Sequence, residues 1–138
     1  MTMPEAVPYH PREVPLPRRL LVWAVVPVAR LLARARPRRI RAVLRVLRTG
    51  ARPATFDEAL AARQSVVAAS LVCAVREGCL PRSLAVVLLC RLAGRWPEWC
   101  VGVRTLPPFG AHAWVAVQGV PVGEDYPADY FRTFFTVS

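Results

Sequence analysis

The hydrophobic pattern of this chain changes period once, near Gly94, and that change limits the folds open to it. Before that glycine, apolar residues recur at the three- and four-residue spacing of helices; after it they alternate and become aromatic or β-branched. Helices first and a sheet afterwards is the order of an α+β domain. The 138 residues fit one domain with its own core. An apolar fraction of 54% and a mean hydropathy of +0.31 exclude a disordered chain. The uncharged runs, such as Gln64 to Val75, are too short to span a bilayer. Met1 to Val14 holds Pro4, Pro8 and Pro11 with Glu5 and Glu13 and lacks the basic, apolar, small-residue order of a secretion signal, so cytoplasmic residence is expected.

Leu16 to Arg36 predicts a first helix, with Pro17 in its opening turn, a bend at Pro27, and Leu21, Ala24, Val25, Val28 and Leu32 facing inward. Arg38 to Arg48 predicts a second, with Ile40, Val43, Leu44 and Leu47 inward, Arg41, Arg45 and Arg48 opposite, and Gly50 as its stop. Thr55 and Glu58 have capping-box spacing, which starts a third helix through Ala59, Ala62, Val66, Ala69 and Val72 to about Arg76. Gly78 ends it, and a fourth opens at Cys79 with Pro81 in its first turn and Leu80, Leu84, Val87 and Leu88 inward until Gly94. Trp99 to Arg104, Ala111 to Gln118 and Val120 to Gly123 predict antiparallel strands. The first two are joined through Pro107-Pro108-Phe109-Gly110, the last two by a turn at Gln118-Gly119. The expected organisation is an arginine-rich helical segment over 1–54, packed on or docked beside a core over 55–138.

The net charge of +10 is lopsided, and every basic side chain other than histidine is arginine. Residues 1–54 hold twelve arginines against Glu5 and Glu13, whereas 55–138 hold seven arginines and seven acids. Such a segment suits nucleic acid, anionic lipid or an acidic peptide, and charge alone does not choose. With no RNA-recognition or helix-turn-helix signature, no nucleic-acid partner is expected. The plain reading of the arginines is a solvated face on core-packing helices. Their Arg and Leu content equally permits contact with a partner protein or a peripheral membrane contact.

Of the four cysteines, Cys73, Cys90 and Cys100 lie among aliphatic residues and read as small buried hydrophobes. No pair has the spacing of a zinc knuckle or redox motif, and neither metal nor cofactor is expected. Cys79 alone follows a glycine and opens a helix, where unpaired N–H groups and the positive dipole end lower a thiol's pKa. A thiol nucleophile needs an imidazole, and His112 is the candidate, since His10 belongs to the proline-rich lead. Strand alternation puts His112, Trp114, Ala116 and Gln118 on one face, where Trp114 can pack on the imidazole and limit water. A third group must orient the histidine. Glu124 and Asp125, after the short strand beside His112, are candidates, with Asp129 farther along. Arg82, one turn into the helix, is read as a substrate-positioning residue, a brace for the loop before His112, or a surface arginine.

Cys79-Leu80-Pro81-Arg82-Ser83-Leu84-Ala85, Phe109-Gly110-Ala111-His112-Ala113-Trp114-Val115 and Pro121-Val122-Gly123-Glu124 resemble the stand-alone leader peptidase of lasso-peptide biosynthesis, a cysteine protease on the transglutaminase-like (papain-like) fold. That resemblance implies Cys79 as nucleophile, His112 as base and then acid, and Glu124 as orienting acid; the expected substrate contacts are Arg82 and Trp114. The family often has Asn-Asp or Asn-Glu where this chain has Gly123-Glu124-Asp125. It further implies a ribosomal precursor peptide as substrate, a separate leader-recognition protein as partner, and an ATP-dependent lasso cyclase that receives the core peptide. Two other readings of the residues stand beside it: a thiol acyltransferase of the transglutaminase type, and a non-enzymatic basic adaptor in which Cys79 is one more buried thiol.

Overall fold

A computed structural model of the chain describes residues 13–70, 73, 78–107, 110–124 and 130–138. Its helices are α1 (Leu16–Ala33), α2 (Pro37–Leu47), α3 (Phe56–Ala69) and α4 (Cys79–Leu92). Its strands are β1 (Arg52–Pro53), β2 (Arg95–Trp96), β3 (Glu98–Arg104), β4 (Ala111–Val117), β5 (Val120–Pro121) and β6 (Phe131–Val137). The architecture is α+β, with a four-stranded antiparallel sheet in the order β5-β4-β3-β6 and a separate parallel pair, β1-β2.

The centre of the molecule is α4, which is buried at nearly every position from Arg82 to Cys90. Such a helix shows almost no amphipathic contrast, because other elements surround it. α1 and α3 lie against it, and the inner face of the sheet contributes Trp99, Ala113, Val115 and Val137 to the same core. Two indole hydrogen bonds fix this arrangement. Trp99 Nε1 donates to Ser83 Oγ at 3.0 Å, tying α4 to β3, and Trp96 Nε1 donates to the Val137 carbonyl at 3.2 Å. The outer face of the sheet carries a second, smaller cluster of Cys100, Trp114 and Ala116 with Phe131.

The capping box of α3 is present in both halves: Thr55 Oγ1 accepts from the Glu58 N–H and Glu58 Oε1 accepts from the Thr55 N–H. The helix stops earlier than its periodicity predicts, because Ser70 takes up extended dihedrals. The remainder of that predicted helix lies outside the described residues, apart from Cys73. Gln118 and Gly119 both have positive φ, 50° and 78°, the geometry of a tight hairpin turn between β4 and β5.

Three expectations are corrected. The buried stripe of α1 is Val22, Val25, Val26 and Ala29, and Leu21, Ala24 and Val28 face out. Apolar residues surround that helix, so periodicity alone does not choose the buried side. On α2, Ile40 and Leu44 are buried while Val43 is exposed, and the Arg41 guanidinium lies 4.4 Å over the Phe135 ring instead of on a solvated face. The third is the sheet itself, which has a fourth strand, β6, paired with β3.

Candidate active site

The first turn of α4 places Cys79, and β4 places His112. Gly78 is the N-cap, and the Arg82 N–H closes the first turn onto the Gly78 carbonyl at 2.8 Å. The N–H groups of Cys79 and Leu80 therefore have no intrahelical acceptor, and Pro81 has no N–H to leave unpaired. Cys79 and His112 are hydrogen-bonded to each other, and the sulfur also accepts from the Ala113 backbone N–H. That amide is free for a physical reason. Val115 turns its carbonyl toward the β5 side, where it accepts from the Val122 N–H at 2.8 Å. Ala113, two residues back, points the same way, but β5 ends at Pro121 and its ladder does not reach that far.

On the other side of the imidazole, His112 Nε2 lies 3.1 Å from Glu124 Oε1, which leaves Nδ1 to face the sulfur. The two side chains are only 13% and 10% exposed, so solvent does little to weaken the pair. Gly123 brings the carboxylate there. Its φ of +68° turns the chain back toward β4, and a Cβ at that position would lie 2.6 Å from Arg63 Cδ. The small residue thus admits both the turn and the side chain of Arg63, which comes from α3.

The electrostatics form a coupled set. Burial pushes the Cys79 thiol up, but the hydrogen bond with His112, the Ala113 N–H and the charges of His112 and Arg82 overcome it and hold the thiol below its ordinary value. Burial pulls His112 down, yet its bonds to Cys79 and Glu124 and their charges raise it to about 9. Burial likewise raises Glu124, and the His112 hydrogen bond, with the charges of His112, Arg63 and Arg82, lowers it overall. Each of the three shifts favours a thiolate beside an imidazolium, and the set titrates as one unit. The other three thiols differ in kind. Burial raises Cys73 and Cys100 and pushes Cys90 up to about 12.

Aromatic rings close the site on the outer face of the sheet. The His112 ring stacks on Phe131 at 4.5 Å between centroids and on Trp114 at 5.7 Å. Rings over an imidazolium exclude water while offering their negative faces to the charge. A cleft of about 160 Å³ is lined by His112 and Glu124 together with Cys100, Trp114, Phe131 and Thr133.

Cys79, His112, Glu124 and Trp114 therefore converge. Arg82 is buried at 8% exposure and its Nη1 donates to the Cys73 carbonyl at 3.2 Å. From within the protein it braces the chain before α4, and its charge acts on Cys79 and Glu124. Asp125 and Asp129 lie outside the described residues. Sequence reasoning does not single out Arg63 or Phe131. The aromatic and β-branched content of residues 131–137 was the signal available for the latter.

A thiol at the start of a buried helix, an imidazole on the adjoining strand and a carboxylate behind it, in an α+β fold, are the arrangement of an activated cysteine nucleophile. The chain belongs to the transglutaminase-like superfamily, whose model matches residues 22–136. That superfamily includes cysteine proteases and acyltransferases, and its members typically have cysteine-based catalytic activity. No curated protein and no solved structure matches the chain.

Proposed function

We propose that this chain is a cysteine peptidase that removes the leader from a ribosomally made lasso-peptide precursor. The observation that carries the reading is the hydrogen-bonded series Cys79, His112, Glu124, with the thiol lowered and the imidazole raised to about 9. The leader-peptidase-like motifs that supply those residues give the substrate class. A separate leader-recognition protein presents the precursor, and an ATP-dependent cyclase takes the released core.

The chemistry follows from the atoms in place. The Cys79 thiolate adds to the scissile carbonyl, forming the S–C bond. The N–H groups opening α4 receive the negative charge that moves onto the oxygen. As the C–N bond breaks, His112 gives its proton to the leaving amine, which becomes the N-terminus of the core peptide. Water, deprotonated by the now neutral His112, attacks the thioester and releases the leader's carboxylate. Glu124 keeps the ring oriented and stabilises each imidazolium stage. Trp114 and Phe131 keep water from the His112–Glu124 pair.

The test uses the full chain with the precursor peptides encoded beside it, with and without the recognition protein, read by mass spectrometry. Expected are two fragments whose masses sum to the precursor plus one water. Cys79→Ala should abolish them while the circular dichroism spectrum and melting temperature stay unchanged. Cleavage that survives in that variant overturns the reading. An amine adduct in place of the water product assigns the chain to the acyltransferases instead.

A further inference from the structure

α1 buries one side and leaves the opposite side apolar. Val22, Val25, Val26 and Ala29 pack into the core. Around the other half of the helix, Leu16, Leu20, Trp23, Val28 and Leu31 are exposed, Leu31 by as much as 70%. Their spacing follows helical turns, so they form one continuous stripe, with Ala24 and Pro27 between them. A patch of this kind, on the order of several hundred Å², marks a surface that meets something other than water.

Three features of the stripe distinguish what it meets. It offers no polar side-chain partner: the Trp23 indole N–H is already donated to the Ala69 carbonyl at 2.9 Å. A protein interface of similar size carries roughly one hydrogen bond per 100–200 Å², and this one provides none from its side chains. Next, the segment of chain that carries the stripe is cationic. Residues 13–54 hold eleven arginines and one acid, Glu13. Lastly, Pro27 lies in the middle of the stripe and has no N–H, so the Trp23 carbonyl one turn earlier lacks its helical donor. Water at the headgroup level of a bilayer satisfies such a carbonyl, whereas in the hydrocarbon interior it is costly unless another protein group or a trapped water reaches it. Among the described residues, no helix is long and apolar enough to cross a membrane.

We propose that α1 is a peripheral docking helix for an anionic lipid surface. The stripe enters the boundary between headgroups and acyl chains, and the arginines of α1 and α2 engage the acidic headgroups. The helix is held to the body while it does so, since Arg18 Nε donates to Ser65 Oγ at 2.9 Å and the Trp23 bond fixes the ring.

The experiment is co-sedimentation of the full chain with vesicles of phosphatidylcholine alone and of phosphatidylcholine with phosphatidylglycerol at three to one. Expected is binding to the anionic vesicles only, weakened at least tenfold by Leu20→Glu or Leu31→Glu and weakened by salt. Trp96, Trp99 and Trp114 are buried, so quenching of fluorescence by brominated lipid should report Trp23. No binding to anionic vesicles overturns the proposal. So does binding that both glutamate variants retain in full, which would mean adsorption by charge alone. Absence of lipid binding together with self-association that Leu31→Glu abolishes would also overturn it, assigning the stripe to a protein contact.

Discussion

Glu124→Gln removes one charge from the site and changes almost nothing else. The amide is isosteric, and its oxygen still accepts from the His112 Nε2–H, so the ring keeps its orientation. What is lost is the carboxylate's attraction for the imidazolium. His112 is raised from 6.5 to about 9 against the opposing effect of burial, which corresponds to about 3 kcal/mol in favour of the charged ring. Both Cys79 and Glu124 supply it, by hydrogen bond and by charge. Removing the carboxylate takes away its share of that stabilisation, on the order of 1 kcal/mol, and shifts the balance between ion pair and neutral pair up to about tenfold toward the neutral thiol. The side chains involved are nearly enclosed, so solvent screening does not remove the effect.

The sign is fixed by the direction of the shift. An imidazolium with a raised pKa is present below about 9 and is lost as pH rises through that value. In Glu124→Gln the alkaline limb of peptide cleavage should move down by roughly one pH unit. A substrate-free version measures alkylation of Cys79 by iodoacetamide, localised by mass spectrometry. At pH 7 the variant should react up to about tenfold more slowly than the native chain, and near pH 10 the two should converge because the thiolate forms without help. Identical rates and limbs in the two proteins would refute the assignment of Glu124 as the group that stabilises the imidazolium.

Other outcomes test the surroundings of the site. Arg63→Gln removes a cation that holds Glu124 ionised, so it should slow Cys79 alkylation in the same direction as Glu124→Gln but by less, with an unchanged melting temperature; an unchanged alkylation profile would leave Arg63 with packing alone. Gly102→Ala should destabilise by about 3 kcal/mol and lower Tm by roughly 10 °C, measured by calorimetry. Its Cβ would fall against the Arg132 carbonyl and the Thr133 backbone, which cannot yield as a flexible side chain does, and a Tm within about 2 °C of the native chain would contradict this.

What the amino-acid order disclosed, and what it withheld, follows from the range of the interactions. Cys79 and His112 were legible because each depends on local pattern: a glycine stop before a helix start, and an alternating strand. Glu124 was legible as one of two acids because a short hairpin brings its strand beside His112. The pattern did not say how short that strand would be. β5 has two residues, not the predicted four, and its ladder stops short of Ala113, whose N–H goes to the sulfur. The β6 strand was hidden for a different reason. It pairs with β3 across the sheet, not with its chain neighbour β5, and its residues mix Phe, Arg and Thr on both faces, so no clean alternation marks it.

Phe131 shows how far that long-range pairing reaches into the chemistry. It faces Arg104 in the β3–β6 register, and a bulge between Val101 and Gly102 resets the ladder by one residue, with Thr133 opposite Gly102 and Phe135 opposite Val101. Because side chains alternate, this reset puts Phe131, Thr133 and Thr136 on the outer face with His112 and Phe135 on the inner one. Without it, either the ring over the imidazole or the one against Trp99 would be on the wrong side. Gly102 permits the bulge by letting the Arg132 backbone approach where a side chain would otherwise stand. A glycine in the middle of a strand thus decides whether His112 is covered, although it touches neither the thiol nor the carboxylate.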